Sequence, residues 1–314
     1  LELSVETAVR AGYRHIDTAY SYRCEASVGA ALHRLFASHV VRREELFITT
    51  KLPRIAHSRD RVWYSLQKSL EDLKLDYVDL YLIEFPVPGK PGFESRGSTV
   101  TVNERDTDPA VVDFIDLMET WSGMEDVYSG RLARAIGLSN FNCKQLKRIY
   151  DNSKIKPCNL QIECHLYLAQ NKVVNFCKAH GVAVTAYAPL GRTKVNYSAK
   201  LRVNSIEYGD PRTADPLEDP AVMDLARCLQ RTPAQVLLRY QVQRGLAVVA
   251  RSENPEHIQG NLRARPFLFF VFDFQLTPTQ MSMLQGLDQN LRYFKRDHHD
   301  EVVQHPEYPF RALF

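Results

Sequence analysis

Four side chains at the ends of short apolar runs could do chemistry together: Asp17, Tyr22, Lys51 and Glu84. A phenol, an ammonium and two carboxyls gathered in one pocket would suit proton transfer to a developing alkoxide or enolate. Lys51 beside Tyr22 would stabilise the phenolate and lower the phenol pKa, while Asp17 would keep the ammonium charged and in place. Further runs end on Ser139 and Asn140, Gln161, Tyr187, and Arg251 with Ser252. The amides of Asn140 and Gln161 could grip a carboxamide, and Tyr187 offers a flat face for an aromatic ring. One such residue alone reads as an ordinary capped or solvated strand end. The set is what points to a site, because every strand ends polar.

Positioning these groups takes repeated strand–helix units. Candidate strands are His15–Ala19, Leu46–Leu52, Val78–Phe85, Ala133–Ser139, Cys158–Cys164, Ala183–Leu190 and Leu246–Ser252. Most are near-continuous apolar runs, as expected of a parallel sheet covered by helices on its faces. Helical stripes separate them, among them Val62, Trp63, Leu66, Leu70 and Leu73, and Phe114, Leu117, Met118, Trp121 and Met124. No G-x-G-x-x-G follows any strand, which argues against a dinucleotide-binding doubly wound sheet. The pattern predicts an α/β fold, a (β/α)8 TIM barrel, with polar strand ends converging at one mouth. Seven strands are visible and the chain opens on a helix-like segment, so the first barrel strand is expected to be missing ahead of Leu1. The whole of 1–314 is expected to form one domain, with long loops at about 86–110 and 192–216 and a tail from about 292 to 314 across the same mouth.

Composition excludes other classes. The chain of 314 residues is 45% hydrophobic and 25% charged, an ordinary globular balance that excludes disordered and fibrous readings. A formal charge of +3 is too even to suggest nucleic acid or a membrane surface as partner. The densest apolar run, 267–272, is too short to span a bilayer. Six scattered cysteines without a C-x-x-C pair read as reduced thiols, which points to the cytoplasm. No metal site is expected, since the His-rich stretch around His298, His299 and His305 lacks ligand spacing. His15 reads as a satisfied core histidine, and His165 has no obvious partner.

Several motifs in order resemble the aldo-keto reductases. They are Ala11-Gly-Tyr-Arg-His-Ile-Asp17 running on to Tyr22, Lys51-Leu52, Ile136-Gly-Leu-Ser-Asn-Phe141, Gln161-Ile-Glu-Cys-His165 and Ala186-Tyr-Ala-Pro-Leu-Gly191. Ala250-Arg-Ser252, Val271-Phe-Asp-Phe274 and His305-Pro-Glu-Tyr-Pro-Phe310 extend the likeness. The resemblance implies a barrel that binds NADPH and moves hydride to a carbonyl or an activated alkene. It places Asp17, Tyr22 and Lys51 in catalytic positions, with Tyr22 the proton donor. Where most members carry His, this sequence has Glu84, which is similar to the delta-4-3-ketosteroid 5β-reductase branch. A Glu kept protonated in an apolar pocket would be a strong hydrogen-bond donor, polarising a ketone so that hydride meets the β-carbon of an enone.

By the same resemblance, Ser139, Asn140, Gln161, Tyr187, Ala188, Leu190, Arg251, Ser252, His257 and Asn261, with Asp17, are expected to line the cofactor. Pro53 and Tyr197, with Tyr22 and Glu84, are expected on the substrate side. Arg251 stands for the usual Lys and His257 for the usual Arg near the 2′-phosphate, and 262–270 looks partly like an insertion. The leading expectation is a monomeric, cytoplasmic, NADPH-dependent reductase of the 4,5 double bond of 3-ketosteroids or similar enones. A carbonyl reductase of the same family is the alternative, and a non-catalytic structural or binding relative a further one.

Overall fold

The computed structural model describes residues 1–91, 112–191, 215–264, 269–296 and 299–311. It divides into two compact units: residues 1–160, 175–182 and 296–314 make the first, and 161–174 with 183–295 the second. Strands β1 (His15–Asp17), β2 (Phe47–Leu52), β3 (Leu80–Ile83), β4 (Ile136–Ser139), β5 (Asn159–Glu163), β6 (Ala183–Tyr187) and β7 (Ala247–Val249) follow one another in chain order in a seven-stranded sheet. β1 pairs β2, β2 pairs β3, β3 pairs β4 and β6 pairs β7, all parallel. Each expected strand is present but shorter than the run read from the sequence, trimmed at its end in β1 and β6, at its start in β2 and β4, and at both ends in β3, β5 and β7.

In the first unit, helices α1 (Glu2–Ala11), α2 (Glu25–Ala37), α3 (Arg59–Leu73), α4 (Leu117–Ser129) and α5 (Cys143–Asn152) alternate with the strands. α3 buries Val62, Leu66, Leu70 and Leu73 as its stripe requires, and Lys74 ends it in a left-handed turn. α4 starts later than its stripe suggests. The Asp116 carboxylate accepts from the Met118 amide and caps the helix there, leaving Phe114 outside it and 74% exposed. In the second unit, α7 (Pro220–Leu229) and α8 (Pro233–Gln243) both begin on proline, preset for the first helical turn, and Thr232 with Gln235 forms a capping box on α8. Helix α6 (Asn171–Ala179) precedes β6, and α9 (Pro255–Leu262), α10 (Pro278–Gln285) and α11 (Asp300–Gln304) follow β7.

Two features add to the expected plan. Residues 263–264 pair antiparallel with 269–270 as β8 and β9, a two-stranded ladder separate from the main sheet. The tail of the first unit is held by both polar and apolar contacts. Glu307 accepts from Arg148 at 2.9 Å and from Gln145 at 2.9 Å, and Val302 and Tyr308 are buried against Phe85, Val87 and Val112. His15 is satisfied as expected, its Nε2 2.9 Å from the Thr49 hydroxyl, but it is half-buried rather than part of the core.

Packing between α2 and α3 leaves no room at Gly29, where a Cβ would lie 2.3 Å from the Asp72 carbonyl oxygen. Gly29→Ala therefore forces two backbones apart, and we expect it to lower stability by about 1–3 kcal/mol. Chemical denaturation checks this; an unchanged midpoint would show that the contact relaxes freely.

Nearby, the buried Glu25 carboxyl on α2 accepts from Thr50 on β2 at 2.5 Å and from Ser69 on α3 at 2.8 Å. Burial raises its pKa above the usual carboxylate value, and the two hydrogen bonds offset only part of this. A carboxyl whose pKa rises on folding stabilises the fold most below its unfolded pKa, and the gain is lost as pH rises through the folded value. Glu25→Gln removes the titration, so the fall in melting temperature between pH 4 and pH 8 should shrink.

Candidate active site

Asp17 ends β1, and the chain then turns through a 3-10 segment, Tyr20–Tyr22, closed by Arg23 in a left-handed conformation. Lys51 lies in β2, two residues beyond the Thr49 that pairs with Asp17. Its side chain is 1% exposed and its ammonium pairs with the Asp17 carboxylate. The same nitrogen donates to the Thr18 carbonyl at 2.9 Å and to the Tyr22 hydroxyl oxygen at 3.3 Å. All three ammonium donors are thus committed. Because Tyr22 Oη accepts from Lys51, the phenol's own proton is left for another acceptor.

Electrostatics correct one expectation. Tyr22 is 51% exposed as a whole residue, yet desolvation at its hydroxyl end, beside the buried Lys51, pushes the phenol pKa up. The Lys51 charge, although it pulls the other way, does not reverse the shift. The charges of Asp17 and Glu84 add to the rise. Burial by itself would lower the Lys51 pKa, but Asp17, Tyr22 and Glu84 outweigh it and the net shift is upward. At neutral pH the pair is therefore a phenol beside an ammonium, a proton donor rather than a phenolate.

Glu84 follows β3 directly, its amide donating to the Leu52 carbonyl at 3.2 Å, and it is 5% exposed. Its surroundings are not apolar, contrary to expectation. Oε1 accepts from the Ser21 hydroxyl at 2.7 Å and pairs with Arg296 at 3.4 Å. Ser21 precedes Tyr22 in the same turn, so the carboxyl is tied to the segment that carries the phenol. Asn140, at the end of β4 with φ 65°, donates to the Glu84 carbonyl at 2.9 Å and to Ser139 Oγ at 3.1 Å. That buried amide ties the end of β4 to the end of β3. Pro53, just past β2, is buried and opens the next 3-10 turn.

The second unit carries the remaining expected residues. Gln161 lies buried in β5, and Tyr187 ends β6 with its ring edge-on to Phe294 at 5.8 Å. Ala188 has a positive φ, which turns the chain towards the half-buried Leu190. Arg251 and Ser252 precede α9, where His257 is exposed and Asn261 half-buried. Ser252 Oγ accepts from the Asn254 amide at 3.2 Å. Tyr197 lies outside the described residues.

Three residues escape a sequence reading. Ser21 is an ordinary turn serine until the turn brings it to Glu84, and Arg296 sits in a tail with no period. Glu163 is the third: it is fully buried and gives His165 the partner that the sequence did not reveal, 3.0 Å from Nε2. The Glu163 carboxylate also accepts the Tyr293 amide at 2.6 Å and the Phe294 amide at 3.1 Å. Among the described residues no cluster of His, Cys, Asp or Glu is placed to hold a metal ion.

Seven parallel strands alternating with helices, polar at their ends, are the architecture of a (β/α)8-type oxidoreductase, and solved structures agree. An aldose reductase from Schistosoma japonicum matches with a TM-score of 0.82 at 36% identity, covering 100% of this chain and 91% of that one. A Bombyx mori aldo-keto reductase in complex with NADP gives 0.82 at 37% identity, covering 98% and 88%. The Aldo/keto reductase family model matches residues 2–296, and the chain belongs to that family. Similar proteins include dihydrodiol dehydrogenase 3 of Bos taurus, 41% identical over 308 residues, 96% of this chain and 86% of that protein. Prostaglandin F synthase 1 of Bos taurus is 40% identical over 305 residues, with the same coverage of 96% and 86%. Family members use NADP(H).

The donor set suits that cofactor. The guanidinium of Arg251 is 90% exposed and able to meet a phosphate through two parallel hydrogen bonds. Its neighbour competes, however, since Glu253 pairs with it at 3.2 Å. Glu253→Gln should tighten NADPH binding by about two- to fivefold, as expected for removing an exposed ion-pair competitor, and leave NADH unchanged. Calorimetric titration with both cofactors decides it; equal effects on the two would remove Arg251 from the phosphate.

Proposed function

We propose that this chain is an NADPH-dependent reductase of ketones and aldehydes, with Tyr22 as the proton donor. The observation that carries the reading is the Asp17–Lys51–Tyr22 relay, which presents a protonated phenol whose oxygen already accepts from a fixed ammonium. NADPH, when bound, supplies the hydride. The chain's residues do the rest. The Tyr22 hydroxyl donates to the substrate oxygen and gives up its proton as negative charge develops there. The phenolate left behind sits beside the Lys51 ammonium, which stabilises it until water restores the proton. Asp17 keeps that ammonium in place and charged.

The similar proteins named for dihydrodiols and prostaglandins support an apolar, ring-bearing substrate with one reactive carbonyl. In the first unit, Ser139 and Asn140 are the candidate carboxamide contacts, and Pro53 the candidate substrate wall. In the second unit, Gln161, Tyr187, Ala188 and Leu190 are the nicotinamide-side candidates, with Arg251, Ser252, His257 and Asn261 for the adenosine phosphate. Six free cysteines support a reducing compartment such as the cytoplasm, and no described helix is long and apolar enough to cross a membrane.

A second reading, reduction of the 4,5 double bond of a 3-ketosteroid, rests on Glu84. It is a buried carboxyl at a strand end, coupled to both Tyr22 and Lys51. Its donors make it an acceptor in this structure, and that favours the carbonyl reading. Incubation with NADPH and a 4-ene-3-ketosteroid separates the two: a new hydroxyl with the double bond retained supports the first, a saturated ketone the second. Tyr22→Phe should cut turnover by about 100- to 10,000-fold, as loss of a general acid does, while NADPH affinity is kept. Turnover unaffected by that change would remove the phenol from the mechanism.

A further inference from the structure

Glu84 is faced by an unusual amount of positive charge. Arg296 comes from the far end of the first unit's chain, with its guanidinium 3.4 Å from Oε1 and 5.2 Å from the centroid of the Phe85 ring. Arg54 lies on the same side, its guanidinium donating to the Val87 carbonyl at 2.8 Å and the Pro88 carbonyl at 3.4 Å. Its charge and that of Lys51 both act with Glu84, as do the phenols of Tyr22 and Tyr81. Of the two arginines only Arg296 touches the carboxyl. Its side chain is 43% exposed while that of Glu84 is 6% exposed, so the tail reaches in to cover a buried acid.

We propose that Arg296 is a specificity-determining positioning residue. By pairing with Glu84 it holds the carboxyl as a hydrogen-bond acceptor and so directs hydride to a ketone carbon rather than to the β-carbon of an enone. The inference rests on the reductase reading above. In ketone reduction the hydride adds to the carbonyl carbon, the π pair moves to oxygen, and that oxygen takes the Tyr22 proton; NADPH is oxidised to NADP+. In enone reduction the hydride adds to the β-carbon and the double-bond pair shifts towards the carbonyl. The carbonyl π pair moves to oxygen, which takes the Tyr22 proton. The enol so formed reverts to a saturated ketone by gaining a proton from water at the α-carbon and releasing the one on oxygen. A second donor at the oxygen stabilises the enol-like state, and a neutral carboxyl is such a donor. A carboxylate is not, and it repels the charge that develops there.

The variants are Arg296→Gln, which removes the charge, and Arg296→Lys, which keeps it. With NADPH and a 4-ene-3-ketosteroid, Arg296→Gln is expected to shift the ratio of saturated ketone to alcohol by about tenfold, the effect of a change near 1.4 kcal/mol between competing barriers. Arg296→Lys should keep the wild-type ratio. An unchanged ratio in Arg296→Gln, or an equal shift in both variants, overturns the proposal. An activity-independent measurement accompanies it: infrared difference spectra at neutral pH between each protein and its Glu84→Gln counterpart. The carboxylic-acid C=O stretch should be absent for the wild type and present for Arg296→Gln. That band in the wild type, or its absence from Arg296→Gln, overturns the proposal even when no substrate is turned over. Failure of the wild type to reduce any ketone would count instead against the reductase reading.

Discussion

A single ammonium taken out of water governs the first unit's architecture. Stripping Lys51 of its hydration costs several kcal/mol unless partners replace the water. The protein supplies them from one short stretch, the Asp17 carboxylate, the Thr18 carbonyl and the Tyr22 hydroxyl. Because all three lie between residues 17 and 22, the buried charge dictates how the chain leaves β1 and where the 3-10 turn must sit. The same turn then delivers Ser21 to Glu84. The placement of the phenol and of the second carboxyl is thus a consequence of solvating one amine.

That dependence explains what can and cannot be read from residues alone. Strand existence was legible, since near-continuous apolar runs such as Leu80–Ile83 suit a sheet buried on both faces. Asp17, Tyr22, Lys51 and Glu84 were legible as a set because each stands at or just beyond a strand end, where a barrel exposes its chemistry. The sign of the Tyr22 shift was not. It is a contest between burial and a neighbouring charge, and burial is a three-dimensional quantity. The pairing of Glu84 was equally hidden, because Arg296 lies 212 positions further along the chain, in a stretch without periodicity. Helix starts misled for a local reason, as at Asp116, where a capping carboxylate cuts short an apolar stripe that continues upstream.

Glu163 and Glu84 show two different uses of a buried carboxylate. In the second unit, Glu163 accepts from two backbone amides and a histidine, and Arg292 lies 3.5 Å away. Every contact is to the fold itself, so the group acts as a fastener. Glu84 takes its donors from a turn hydroxyl and a partly exposed tail guanidinium, groups that can rearrange at modest cost. Paired buried charges commonly serve structure. The neighbourhood of Glu84, shared with a phenol and an ammonium, is what separates it from that background.

The anchored tail carries a consequence for biogenesis. Phe85 and Val87 are buried in part by Val302 and Tyr308, more than 200 residues downstream. During vectorial synthesis at about 5–20 residues per second, that apolar surface emerges from the ribosome long before its cover does. For something on the order of ten seconds or more the nascent chain presents an open hydrophobic face, together with a Glu84 that has no arginine partner. The first unit cannot close in the order in which it is made, so its folding yield depends on how well that waiting interval is protected from premature association.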